Sequence, residues 1–165
     1  SQIEQVLKDT LGIEQVIWLK HGYLPGDDTD AHIDTLARFA PKGIVYVTCD
    51  DQNAPQYREL KAMEQELRLA KDRQGVTYDL FPLPSPGPVF NVDGDPLPAT
   101  YANFLVINGA VLVPVYNDVN DQLALDVIAK AFPDHQVIGL DCRTVVEQFG
   151  SLHCLTMQLP KPLIN

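Results

Sequence analysis

The sequence has no apolar run long enough to cross a bilayer. A membrane-spanning helix needs about 20 consecutive apolar residues, whereas the apolar residues here, 45% of the 165 positions, are spread along the chain. The first residues are polar and amphipathic, unlike the charged start and apolar segment of a secretory signal. These absences predict a soluble protein that is not exported and has no membrane partner.

Cysteine and basic residues are also scarce. The three cysteines are an odd number and give no disulfide framework, which favours a reducing, cytoplasmic location. The 12 basic and 22 acidic residues leave a formal charge of −10, the wrong sign for contacting a phosphate backbone. Nucleic acid is therefore not expected as a partner, whereas a small cation would be attracted to the protein.

No linker rich in glycine or serine divides the sequence, so we expect one domain with one core. The periodicity of apolar residues predicts an α+β fold with two successive β-β-α-β units. The first has strands over 32–39 and 44–49, a helix between Pro55 and Gly75 and a strand over 76–83; the second has strands over 101–107 and 110–115, a helix over 121–132 and a strand over 136–140. A proline-rich segment, 82–98, joins the units as a constrained loop or irregular hairpin.

The two ends of the chain each look like half of such a unit. A capping box predicts a helix from Ser1 that stops at Gly12, and a short buried strand follows over 15–19. At the other end a strand is predicted over 151–159. Because repeats bury their apolar faces against neighbours, these halves favour a piece of a larger, ring-shaped array. The alternative is that the two halves pair and close a small complete domain.

Two stretches carry the candidate chemistry: residues 26–34 and residues 150–154. Side chains two residues apart on a strand face the same side, so His32 and Asp34 are predicted to project together. Cys154 is expected on a neighbouring strand. A thiol, a proton carrier and a carboxylate are the parts of an activated thiol nucleophile, although the residue pattern alone equally allows a buried, inert cysteine.

Four segments of the sequence resemble the agmatine deiminase family, which belongs with the bacterial peptidylarginine deiminases of the Porphyromonas type to the pentein superfamily. The segments are residues 26–39, 100–104, 106–110 and 150–158. They span nearly the whole chain but only the C-terminal half of the family's usual length. The resemblance implies a five-bladed propeller of β-β-α-β modules around a central channel, with 1–165 as the C-terminal portion of one catalytic domain, and it suggests a homodimer.

The resemblance also implies the roles of individual residues. Cys154 matches the family's nucleophile, His32 its general acid and base, and Asp34 a carboxylate that grips the guanidinium; Asp28 matches an acidic position that holds the cationic substrate. The family uses a further aspartate and glutamate from its N-terminal half, which have no counterpart in this sequence. The isolated chain is therefore expected to be inactive.

The implied reaction is the hydrolysis of agmatine to N-carbamoylputrescine and ammonia, a step toward putrescine. It would pass through a covalent thiouronium on the cysteine, with no metal or organic cofactor. Two alternatives stay open: an arginine or peptidylarginine deiminase, and a folded fragment without catalytic activity that acts only in binding or assembly.

The remaining candidates have simpler interpretations. Since His153 is next to Cys154 on the predicted strand, its side chain is expected to face away from the site and to be structural. The acidic run over 27–30 lacks the distal glutamate of a calcium loop, which disfavours that ion. Four other residues are expected to be structural or solvated: Cys49 and Cys142 in the core, and His21 and His135 in polar turns.

Overall fold

The computed structural model describes residues 1–29 and 32–159, and within them a mixed α/β fold. Asp30 and Ala31, which belong to the candidate stretch 26–34, lie outside the described residues. None of the helices in the described part of the chain combines the length and the apolar character that crossing a membrane requires.

The N-terminal helix α1, Gln2–Leu11, is formed as predicted. The Ser1 side chain accepts a hydrogen bond from the Glu4 backbone N–H, the Glu4 side chain reaches back to the first residue, and Gly12 ends the helix with a φ of 66°. The strand predicted over 15–19 is wrong, because these residues have no regular structure and are at most partly buried. Within the described residues no strand pairs with them to satisfy a ladder of backbone hydrogen bonds.

The first sheet begins later in the chain than predicted. Strand β1 is Ala37–Ala40, and residues 33–35 form a 3-10 helix instead of the start of a strand. The turn forms because the Thr35 N–H and hydroxyl both donate to the His32 carbonyl, at 3.1 and 2.7 Å. Such local bonding competes with strand pairing.

Strand β2, Gly43–Val47, is antiparallel to β1, and after helix α2, Tyr57–Leu69, strand β3, Leu80–Leu83, is parallel to β2. The proline-rich segment contains the short antiparallel pair β4, Val89–Phe90, and β5, Pro96–Leu97. It is thus an irregular hairpin, as predicted.

The second sheet has the same topology as the first. Strands β6, Leu105–Ile107, and β7, Ala110–Val115, form an antiparallel hairpin around the predicted Asn-Gly turn, where Gly109 has a φ of 81°. Helix α3, Asp121–Ala131, then leads to β8, Gln136–Asp141, which is parallel to β7. The helix packs against both β8 and β3 and so joins the two sheets.

One apolar cluster fills the space between these elements. It takes residues from both sheets and from α2 and α3, and the largest side chains that are fully buried in it include Tyr46, Tyr101, Phe104, Leu60 and Met63. Each such side chain contributes about 1.5–3 kcal/mol through the apolar surface removed from water. Cys49 and Cys142 are buried, as predicted.

Residues 151–159 contain turns and no strand, so the strand predicted there is wrong. A 3-10 helix, Val145–Gln148, leads into Phe149, whose φ of 63° lies in the left-handed region. Residues 152–155 then form turns. The backbone N–H groups of Ser151 and Cys154 both donate to the Asn103 side chain and not to a neighbouring strand. This bonding explains why the segment folds back.

Candidate active site

An open pocket of about 430 Å³ brings together Asp28, His32, Asp34 and Cys154. The other residues that line it are Thr29, Gln148, Phe149, Gly150, His153 and Thr156. The four predicted site residues thus meet in one place, although 120 positions separate Asp34 from Cys154. His32 directly precedes a 3-10 helix and Asp34 lies within it, so the two do not project from one strand face.

Asn103 is the residue that joins these segments. It is 1% exposed, and its Oδ1 accepts hydrogen bonds from the backbone N–H groups of Ser151 and Cys154 at 3.1 and 3.3 Å. Its Nδ2 donates to Asp34 Oδ2 at 3.0 Å and to Cys154 Sγ at 3.1 Å. A single buried amide therefore fixes the turn that bears the cysteine relative to the aspartate.

The position of Asn103 is itself fixed by its neighbours. Ala102 and Phe104 are fully buried. The Arg38 guanidinium donates to the Phe104 carbonyl at 2.9 Å and lies 4.7 Å from the centre of the Phe104 ring. Arg38 thus ties β1 to the segment that carries Asn103, and its charge acts on the nearby Asp34.

A buried hydroxyl pair supports the cysteine turn from the other side. The Tyr116 hydroxyl donates to the Thr100 carbonyl at 3.0 Å, accepts from the Thr100 N–H at 3.1 Å and contacts Ser151 Oγ at 2.9 Å. Burial raises the pKa of Tyr116 to about 12, so the phenol keeps its proton for these bonds. Ser151 is 1% exposed, which makes it a fixed start for the turn toward Cys154.

The Asp34 carboxylate accepts several hydrogen bonds on one oxygen. Oδ2 accepts from Asn103, lies 2.5 Å from His153 Nδ1 and 3.6 Å from Cys154 Sγ. Burial raises the pKa of Asp34, but the hydrogen bond and charge of His153, the thiol and Arg38 outweigh it, so this pKa is lower than usual. Asp34 is therefore ionised at neutral pH.

Cys154 is the exposed cysteine of the three. Burial of its sulfur raises the thiol pKa, the negative Asp34 adds to the rise, and the hydrogen bond from Asn103 opposes it. These surroundings thus favour the thiol form. A cation bound between the sulfur and the carboxylates would reverse this balance, since it stabilises the thiolate.

The structure corrects the prediction for His153. Because Cys154 lies in a turn and not on a strand, neighbouring side chains need not face opposite ways, and His153 faces the pocket and contacts Asp34. His135 lies in a bend and is partly buried, with its ring packed on Phe132 at 5.7 Å between the centroids. His21 is exposed and contacts Glu59, as expected for a polar turn.

Sequence reasoning missed Asn103, Arg38 and His153 as members of the site. Asn103 and Arg38 lie within the segments that resemble the deiminase family, so that resemblance contained a signal for them. For His153 the signal was its place beside the candidate nucleophile. The expected roles of Asp28, His32, Asp34 and Cys154 stay predictions.

A second, mostly apolar groove of about 690 Å³ adjoins the pocket and shares Asp34 and His153 with it. Its apolar lining comes from α1, from the following segment and from the first sheet, and includes Leu7, Ile17, Trp18, Phe39 and Tyr78. Trp18 and Phe39 are 53% and 66% exposed. The candidate site is thus bordered by a large apolar surface.

The sequence of the chain matches a known family. The model of the Porphyromonas-type peptidyl-arginine deiminase family matches residues 1–160, and the chain belongs to this family. An agmatine deiminase of Pseudomonas putida (strain KT2440) is 34% identical over 99% of this chain and 49% of its own length. The chain spans about half the length of the curated relatives it matches.

Solved structures agree with this assignment. A Porphyromonas gingivalis protein assigned as an arginine deiminase is 53% identical, with a TM-score of 0.92 over 96% of this chain and 47% of that one. A C. jejuni agmatine deiminase with substrate bound is 44% identical, with a TM-score of 0.84 over 92% of this chain and 44% of that one. The mixed α/β fold is therefore that of the deiminases.

Proposed function

We propose that the chain carries the nucleophile-bearing part of an agmatine deiminase, which hydrolyses agmatine to N-carbamoylputrescine and ammonia. The observation that carries this proposal is the contact between Cys154 Sγ and Asp34 Oδ2, at 3.6 Å, in a pocket that His32 and Asp28 also line. The agmatine deiminases of P. putida and C. jejuni among the matched proteins support agmatine as the substrate.

The carboxylates of Asp28 and Asp34 bind the guanidinium of the substrate. Asp34 is ionised and only part-buried, and Asp28 lines the same pocket. A planar guanidinium presents pairs of N–H groups that match carboxylate oxygens, and this pairing holds its carbon at a defined place over the sulfur. The positive charge of the bound substrate then favours the Cys154 thiolate.

The chemical steps follow from the thiolate. Sulfur attacks the guanidinium carbon and forms a tetrahedral adduct. His32 protonates the departing nitrogen, the C–N bond breaks, ammonia leaves and a thiouronium stays on Cys154. His32 then takes a proton from water, whose oxygen attacks the same carbon. The C–S bond breaks, and the new hydroxyl group loses its proton to solvent, which gives the urea product and the thiolate.

The propeller implied by the resemblance is part of this proposal. Two sheets of identical topology joined by α3, and a chain that spans about half the length of its relatives, support a place for 1–165 as the C-terminal portion of such a ring. We include a cytoplasmic location and a homodimer in the proposal, and sedimentation at several concentrations tests the dimer.

The same argument predicts that the 165 residues alone are inactive. Further carboxylates are needed to clamp a guanidinium on both edges, and losing oriented charge contacts costs several kcal/mol of transition-state stabilisation. Ammonia release from agmatine is measured for this chain and for a protein of the relatives' full length that contains it, each beside its Cys154→Ala variant. Cys154-dependent turnover by the chain alone at the rate of the longer protein would contradict this part of the proposal.

An arginine deiminase is the second candidate, because the P. gingivalis protein that is 53% identical carries that assignment. Arginine adds an α-carboxylate, and a peptide adds still more bulk, at the end of the substrate remote from the guanidinium. Comparing kcat/KM for agmatine, arginine and a peptide with an internal arginine decides between them. A kcat/KM for arginine that exceeds the value for agmatine by tenfold or more would make arginine the proposed substrate instead.

A further inference from the structure

We propose that His153 is a positioning residue that holds the Asp34 carboxylate and limits its contact with the Cys154 thiol. This inference rests on the proposed function, because it assigns a task to His153 within the same site. His153 would not touch the reacting atoms and would act only through Asp34.

The first argument is the geometry of one oxygen. Asp34 Oδ2 lies 2.5 Å from His153 Nδ1, 3.0 Å from Asn103 Nδ2 and 3.6 Å from Cys154 Sγ. The histidine contact is the shortest of the three. A short nitrogen–oxygen contact to an ionised carboxylate is about twice as strong as a neutral hydrogen bond. His153 therefore contributes most to the orientation of Oδ2.

The second argument is the direction of the bond. An ionised carboxylate only accepts, so the proton lies on Nδ1 of His153. This holds for the neutral ring with its proton on Nδ1 and for the imidazolium alike. In both forms electron density on Oδ2 is drawn toward the histidine and is less available to the S–H group of Cys154.

The third argument is that His153 is itself held in place. Its backbone N–H donates to the Asn103 carbonyl at 3.2 Å, and its own carbonyl accepts from the Thr156 N–H and hydroxyl at 3.1 and 3.0 Å. The ring lines both the site pocket and the adjoining apolar groove. It therefore forms part of the wall between them, with Asp34 beside it.

Removing the ring has a defined consequence for the thiol. Without the donor at Nδ1, Oδ2 is left to accept from Cys154, which stabilises the protonated sulfur. The thiolate fraction at neutral pH falls, and with it the rate of alkylation. An increase of about one unit in the apparent thiol pKa reduces that rate about tenfold.

The test is the pH profile of Cys154 alkylation by iodoacetamide, followed by mass spectrometry of the 165-residue chain. The variants are His153→Ala, His153→Asn and His153→Gln. An asparagine amide nitrogen is as many bonds from the backbone as Nδ1, whereas that of glutamine is one bond further. We expect H153A and H153Q to move the inflection up by about one unit, and H153N to restore it.

A double-variant comparison tests whether His153 acts through Asp34. In an Asp34→Asn background the His153→Ala change is expected to have no further effect on the profile, because the charge it controls is gone. A full effect in that background would overturn the proposal. A H153A profile equal to that of the unmodified chain would also overturn it.

Two controls separate this proposal from simpler explanations. His21→Ala removes an exposed histidine paired with Glu59, and it is expected to leave the profile unchanged. If H153A does not fold, the difference between H153N and H153Q decides, and equal profiles for these two overturn the inference. If Cys154 reacts no faster than Cys49 in the unmodified chain, the proposed function fails. The differences among the His153 variants then still test the positioning role proposed for His153.

Discussion

Gly150 lies so close to Cys154 that a Cβ atom at position 150 would stand 2.8 Å from the Cys154 Cβ and 3.2 Å from its sulfur. Glycine at this position therefore lets the turn place the thiol at the pocket. The preceding residue, Phe149, has a φ of 63°, which is uncommon for a residue with a side chain. The two features together define the backbone that presents the cysteine.

The first prediction follows from this contact. Gly150→Ala is expected to displace the cysteine turn and to weaken the bonds of Asn103 to it, at a cost of about 1–3 kcal/mol of stability from overpacking. Chemical denaturation measures the loss, and iodoacetamide labelling of Cys154 reports the displacement. Unchanged stability together with an unchanged labelling rate would show that the turn adapts without strain.

The second prediction concerns Asn103. Asn103→Ala leaves the N–H groups of Ser151 and Cys154 without their acceptor, and each unsatisfied buried group costs about 1–3 kcal/mol. Asn103→Asp keeps that acceptor but loses the donor to sulfur and adds a negative charge. We expect the alanine variant to lose more stability, measured as the free energy of unfolding, and the aspartate variant to have the higher thiol pKa. The reverse order of the two variants in both measurements would refute this account of the amide.

The third prediction concerns the buried hydroxyl of Tyr116. Tyr116→Phe removes the bonds to Thr100 and Ser151 but keeps the ring in the core, so the expected loss is about 1–2 kcal/mol. Tyr46→Phe is a control in a second buried tyrosine that lies outside the cysteine turn. Only the Tyr116 variant is expected to change Cys154 labelling, because only that hydroxyl supports Ser151. Equal effects of the two variants on labelling would count against this role.

The fourth prediction is a pH dependence of stability. The folded pKa of Asp34 is below its ordinary value of 3.8, so the unfolded state binds the proton more readily. The contribution of this carboxylate to stability is fully present above that value and is lost as the pH falls through the folded pKa. We expect the free energy of unfolding to fall more steeply below pH 4 for the unmodified chain than for Asp34→Asn. Parallel curves for the two proteins would show that Asp34 has no such linkage.

Local signals predicted much of the fold. Helix α2 follows from apolar residues at helical spacing, and the hairpin around Gly109 follows from the Asn-Gly turn between two β-branched runs. In both cases residues close in sequence determine the structure. The capped start of α1 is a third example, because the capping bonds join only Ser1 and Glu4, which are close in sequence.

The structure around the cysteine could not be predicted in this way. The segment 151–159 has residues suited to a strand, but the backbone N–H groups of Ser151, His153 and Cys154 donate to Asn103, which is 51 positions from Cys154. The alternation of side chains along a strand therefore predicted the wrong direction for the His153 side chain. For His32 and Asp34 the reason is local, since the Thr35 hydroxyl bonds to the His32 carbonyl and a 3-10 turn replaces the expected start of the strand.

The hydrogen bonds that assemble the pocket join residues that are far apart in sequence, and this separation has a consequence for folding kinetics. Asn103 lies 69 positions from Asp34, and His153 lies 119 positions from it. Closing loops of this length is entropically costly until the sheets and α3 have brought their ends together. The site is therefore expected to be completed late in folding, after the hairpins and helices, so that the contact between His153 and Asp34 would be among the last to form.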